Sequence, residues 1–153
     1  MKKQITIKEA LQIAIEAEIS AYNLYQETAE KVANAATKAM LIELANMELG
    51  HRKLLENIVT KGEYTQLSDD VPRESQGISD FLVTSELQKN ATPQDVMIFA
   101  MKEEEKAFNF YNDMKNNFLG TELENVFSKL AAEEQGHKKR LEDEYEEHFL
   151  REN

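Results

Sequence analysis

The chain contains no cysteine, which excludes disulfides, thiolate catalysis, and zinc or iron–sulfur sites held by sulfur. Glycine and proline are scarce, five and two among 153 residues, so little interrupts a helix. Long hydrophobic runs are also missing. The longest purely apolar stretch, Val96 to Met101, falls far short of the roughly 20 residues that span a bilayer. Lys2 and Lys3 open the chain, but Glu9, Gln12, Glu16 and Glu18 interrupt what would be a signal-peptide core. A soluble, cytoplasmic protein is the expectation. Positive charge is in deficit, 18 Lys and Arg against 29 Asp and Glu, a net charge of −11. That balance opposes binding to nucleic acid or to an anionic membrane, both of which need a cationic surface.

What the chain does contain is mostly helix-forming sequence, enough for one domain with a core of its own. Four long helical segments are predicted. The first runs from about Ile7 to Val32, opened by Thr6 with Glu9 three residues on, a capping-box pattern. The second runs from about Ala35 to Thr60 and stops near Gly62. The third starts at Thr92-Pro93, with Asp95 completing a box, and ends near Gly120. The fourth starts at Thr121, with Glu124 three residues on, and reaches about Phe149. Short connections around Asn34 and Gly120 make two antiparallel hairpins, residues 6–60 and 92–149. Residues 61–91 join them, long enough to traverse a bundle, and Ile78 to Leu87 within this stretch can form a short helix. The expected fold is all-α, a ferritin-like four-helix bundle of two hairpins and one long crossover.

The chain repeats itself at an offset of 86 residues. Glu18, Tyr25, Glu48 and His51 recur as Glu104, Tyr111, Glu134 and His137. Ala14, Ala21, Asn23, Leu44, Ala45, Gly50, Lys53, Leu55 and Glu56 also meet their own kind at this offset. A duplicated helical hairpin predicts a pseudo-twofold axis. The period is too long, and the copies too few, for a solenoid.

The apolar stripes say where these residues point. They read Leu11, Ile15, Glu18, Tyr22, Tyr25, Ala29 on the first helix and Leu41, Leu44, Glu48, His51, Leu55, Ile58 on the second. On the third they read Met97, Met101, Glu104, Phe108, Tyr111, and on the fourth Phe127, Leu130, Glu134, His137, Leu141, Tyr145. Each helix thus carries a carboxylate where its core face should be apolar. Four buried glutamates repel one another unless cations neutralise them, and two divalent ions match their charge. Glu and His three residues apart share a helix face, with Cβ atoms about 5–6 Å apart, so both can reach one ion. Two Glu-only helices and two Glu-x-x-His helices are how four-helix bundles hold two metals. The mixed oxygen and imidazole donors suit iron, with manganese, zinc or cobalt as substitutes. Bridging carboxylates can hold such ions roughly 3.5–4 Å apart.

A Glu three residues before a His carries little weight alone in so Glu-rich a chain. The repeated 30-residue spacing to a further Glu, on the core face both times, carries much more. Tyr25 and Tyr111 follow the first Glu of each set by two turns, and their side chains lean back toward it. Each hydroxyl is placed to hydrogen-bond a ligand carboxylate, with a possible redox role; the alternative is an ordinary core aromatic. Gly50 and Gly136, inside helices just before each His, mark either a close helix contact or shared ancestry. Glu103, Glu105 and Glu133 fall off the ligand face, His148 has no partner motif, and the methionines read as core packing.

With these residues placed, the chain resembles the rubrerythrin group of the ferritin-like superfamily. The carriers are Glu18, Glu48-x-x-His51, Glu104 and Glu134-x-x-His137. The resemblance implies a di-iron site, with iron oxidation or peroxide reduction through a diferrous/diferric cycle, and a homodimer, with or without exchanged helices. Without cysteine there is no rubredoxin domain, so electrons would come from a separate donor protein. Many rubrerythrins carry a further carboxylate one turn before the third-helix Glu, where this chain has Met101. The leading expectation is an oxidoreductase that reacts ferrous iron with peroxide or O₂. Glu18 and Glu104 would each hold one metal, Glu48 and Glu134 would bridge, and His51 and His137 would cap. A metal-binding or iron-handling protein without turnover remains open, as does a structural bundle whose ion only neutralises the carboxylates.

Overall fold

A computed structural model describes residues 5–62, 70–71, 76–81 and 86–150. The chain falls into two compact units, Met1–Glu74 and Ser75–Asn153, each built around one helical hairpin.

In the first unit, α1 (Ile7–Lys31) and α2 (Ala35–Lys61) are joined by three residues and pack against each other, which makes them antiparallel. The Thr6 hydroxyl accepts the Glu9 amide at 3.0 Å, and the Asn34 side chain accepts the Thr37 amide at 3.0 Å. Each satisfies an amide that the first helical turn leaves without a carbonyl. Gly62 ends α2 in the left-handed region, φ 65°, returning its N–H to the Ile58 carbonyl at 3.0 Å. A side chain at C′ would be strained there, so glycine suits the stop. Two residues before α1, β1 (Ile5–Thr6), pair antiparallel with β2 (Asp70–Val71), so the start of the crossover returns to the head of the first helix.

The second unit holds α3 (Gln76–Phe81), α4 (Pro93–Asn116) and α5 (Glu122–Tyr145). Thr92 and Asp95 form the reciprocal capping box, at 3.2 and 3.0 Å. The predicted box at Thr121 is absent. The Thr121 hydroxyl instead donates to the Phe118 carbonyl at 2.7 Å, closing the turn between α4 and α5. The far end of this hairpin is tied by Gln94, whose amide donates to the Tyr145 hydroxyl at 3.0 Å. A single π-helical turn, Glu146–Leu150, follows.

The short helix of the crossover starts and ends earlier than the sequence suggests. Of the expected Ile78–Leu87 segment, residues 82–85 lie outside the described part, and Leu87 is not helical. α3 lies against α4. Ile78 is fully buried, and the Phe81 ring stacks on Phe110 with centroids 4.2 Å apart. Gly77 permits this approach. A Cβ there would sit 2.5 Å from the Asn109 carbonyl oxygen and closer still to the Asp113 carboxylate.

The buried faces are centred slightly differently from the predicted stripes. On α4 the buried positions are Val96, Met97, Ala100, Glu104, Ala107, Phe110, Tyr111 and Met114, whereas Met101 and Phe108 are half-buried. On α1, Ala14 is buried while Tyr22 is only half-buried. On α4 the buried neighbours one turn either side of Glu104 are small, Ala100 and Ala107, rather than Met101 and Phe108.

Gly77→Ala is expected to destabilise the protein by about 1–3 kcal/mol through overpacking against backbone. Chemical denaturation of wild type and variant measures the difference, and equal stabilities would contradict the close docking of α3.

Candidate metal centre

Each hairpin gathers three of the six predicted ligands. In the first, α1 contributes Glu18 and α2 contributes Glu48 and His51. His51 Nδ1 lies 3.2 Å from Glu48 Oε1 and 3.7 Å from Glu18 Oε1. In the second, α4 contributes Glu104 and α5 contributes Glu134 and His137. His137 Nδ1 lies 3.3 Å from Glu134 Oε1 and 3.6 Å from Glu104 Oε2. The two sets have nearly the same dimensions, as the sequence repeat requires. None of the six residues is more than 5% exposed. Within each triad, one ligand atom from every residue lies within 4.8 Å of the others.

The local reason for this convergence is helical register. Glu48 and His51, three residues apart, share the inward face of α2, and Glu134 and His137 do the same on α5. The antiparallel partner then supplies one glutamate near mid-helix. Electrostatics decide what the triads can hold. An imidazole nitrogen facing two carboxylate oxygens cannot present a bare lone pair to them; a proton or a metal ion must lie between. Two donors each about 2.0–2.2 Å from one ion stand roughly 3–3.5 Å apart, close to the nitrogen–oxygen distances found. Two carboxylates and a neutral imidazole carry a charge of −2, which one divalent cation cancels. The residues present therefore fit a divalent ion in each triad.

Around the ligands, Tyr25 and Tyr111 are buried as expected. Their surroundings hold a feature that apolar periodicity did not show. Tyr111 makes an edge contact with Phe110 at 5.3 Å and stacks on Phe127 at 6.2 Å, and Phe127 stacks on Phe118 at 5.4 Å. With Phe81 on Phe110, five rings run in a row; the clue in the sequence was the density of Phe between 108 and 127. Glu103 and Glu105 lie outside the triads, 3.6 Å from Lys106 and 3.7 Å from Lys138. His148 is half-buried, 3.5 Å from Glu144. Met40, Met97 and Met114 are core residues, whereas Met47 and Met101 are half-buried. The close-contact reading of Gly50 and Gly136 is overturned. Both are exposed, and a Cβ at either would meet nothing within 4 Å among the described residues.

A helical fold whose core is broken by matched Glu and Glu-x-x-His positions defines the ferritin-like carboxylate class. A putative ferritin-like diiron-carboxylate protein from Thermotoga maritima has the same fold, with a TM-score of 0.74 at 18% identity, over 96% of this chain and 99% of its own. The all-α, ferritin-like four-helix bundle expected from the sequence is thus borne out. A hypothetical protein from Pyrococcus furiosus is 30% identical, with a TM-score of 0.70 over 91% of this chain and 87% of its own. None of the curated proteins matches the chain. The rubrerythrin family model matches residues 9–145, and the chain belongs to that family. Among the described residues, no helix is long and apolar enough to cross a membrane.

Divalent metal is expected to raise the melting temperature of metal-free protein, since a ligand at 100 times its Kd adds about 2.7 kcal/mol. The rise should shrink as pH falls, because protons compete for the imidazoles and carboxylates. Differential scanning fluorimetry with Mn(II) or Co(II) over a pH series checks this. A pH-independent shift would place the ion elsewhere. Gly50→Ala and Gly136→Ala should each stabilise metal-free protein by up to about 1 kcal/mol, read from denaturant midpoints.

Proposed function

We propose that this protein is a di-iron carboxylate oxidoreductase that reacts ferrous iron with peroxide or O₂. The observation that carries the reading is the pair of matched, buried Glu, Glu, His triads in a chain of the rubrerythrin family. Glu18 with His51, and Glu104 with His137, would each serve one iron, while Glu48 and Glu134 would be shared. Two ferrous ions together supply two electrons to the oxidant, which avoids a one-electron radical product.

The protein's own residues set the conditions for that chemistry. The buried carboxylates would keep the site neutral when loaded, and the apolar core packed around them, Leu44, Leu55, Leu130 and Leu141 among it, holds bulk water away. His51 and His137 offer Nδ1, so any proton resting there has to leave before an ion binds. Tyr25 and Tyr111 are proposed to donate their hydroxyls to ligand carboxylates, which would fix the carboxylate rotamers. A separate electron-donor protein would supply the reducing electrons. A homodimer and a cytoplasmic location belong to the same reading.

Anaerobic Fe(II) titration followed by stopped-flow mixing with O₂ or H₂O₂ tests this directly. Saturation at two irons per chain and a fast near-ultraviolet absorbance rise are expected, and the faster oxidant ranks peroxidase against ferroxidase. Glu48→Ala should abolish the fast phase. Two irons oxidised no faster than free Fe(II) would reduce the role to metal binding.

A further inference from the structure

The two triads match in residue type but not in surroundings: the β1–β2 pair braces the head of α1 in the first hairpin, whereas a docked helix and a row of rings brace α4 in the second. α3 docks on α4, with Gly77 against the Asn109 backbone and Phe81 on Phe110. Phe110 is therefore fully buried, whereas its repeat counterpart Leu24 is half-buried; Ala107 is buried where Ala21 is half-buried. Tyr111 is gripped between Phe110 and Phe127, and the positions equivalent to those two rings in the first hairpin are Leu24 and Leu41. Beside the ligands themselves, Lys138 on α5 reaches Glu105 on α4 at 3.7 Å. The residues equivalent to this pair are Arg52, whose ion pair runs along its own helix to Glu56, and Ile19, which carries no charge.

We propose that the triad of Glu104, Glu134 and His137 is the preorganised one and takes the first divalent ion, so that the chain loads in two steps of unequal affinity. The proposal rests on the metal-binding reading of both triads. The physical reason is the cost of ordering. Two like-charged carboxylates in a loosely held hairpin relieve their repulsion by changing rotamer or by letting the helices part. An ion arriving there has to reverse that relaxation. In the second hairpin, α3 and the row of rings hold the α4 backbone, and the Glu105–Lys138 pair joins α4 to α5 at ligand level. Supports of this kind lock ligand rotamers before the ion arrives. The exposed ion pair contributes little by itself; the packed helix and rings carry most of the difference.

Calorimetric titration of the metal-free, full-length protein with Co(II) under anaerobic conditions tests this without any turnover. Wild type should bind in two steps separated by about tenfold or more. His51→Ala should keep the tight step, and His137→Ala only the weak one. Gly77→Leu, which forces α3 off α4, and Phe81→Ala, which removes only its stacked ring, should each weaken the tight step and leave the weak one unchanged. In metal-free protein, amide exchange should be slower around Glu134 than around Glu48. Equal steps, a tight step that survives His137→Ala, or a separation untouched by both α3 variants would overturn the order of loading while leaving two metal sites standing. Absence of Co(II) binding would overturn the metal reading along with it.

Discussion

An imidazole nitrogen held between carboxylate oxygens needs positive charge on the line between them, and each hairpin is organised around that need. Glutamate in a helical core is costly because water no longer solvates its charge. The chain accepts this cost at Glu18, Glu48, Glu104 and Glu134 and surrounds each with features that fix helix register. The caps at Thr6, Asn34 and Thr92 set where three helices begin. The Gln94–Tyr145 hydrogen bond sets how the ends of α4 and α5 meet. A slip of one residue along a helix turns a side chain by about 100° and would carry a ligand out of its triad.

Much of this was legible in the sequence because the signals were periodic and repeated. A carboxylate in an apolar stripe is visible without coordinates, and the 86-residue offset showed it twice. Helix limits were legible to within a residue or two where a cap residue and a stop residue were both present, as at Thr6 and Gly62. The box at Thr121 failed for a local reason: its hydroxyl had a nearer acceptor in the Phe118 carbonyl, inside a turn that the pattern does not encode.

Other features depend on contacts between segments and had no periodic signature. The stripes were drawn through Met101, Phe108 and Tyr22, the bulky residues, whereas the chain buries Ala14, Ala100 and Ala107. Alanine says little about orientation, since it suits any helix face. Gly77 looks like a breaker, yet it is the point where one helix touches another's backbone. Gly50 and Gly136 look special because they are repeated, yet a Cβ at either would meet nothing within 4 Å among the described residues. Shared descent explains their matching positions without a contact.

The confinement of each triad to one hairpin bears on how the chain reaches its native state. The ligands of the first lie between Glu18 and His51, and those of the second between Glu104 and His137. The three residues of each triad are gathered by the closure of one hairpin alone. Contacts that are local in sequence cost little loop-closure entropy and form early in folding. Closing a helical hairpin is therefore the same event, in each half of this protein, as bringing two carboxylates and an imidazole together.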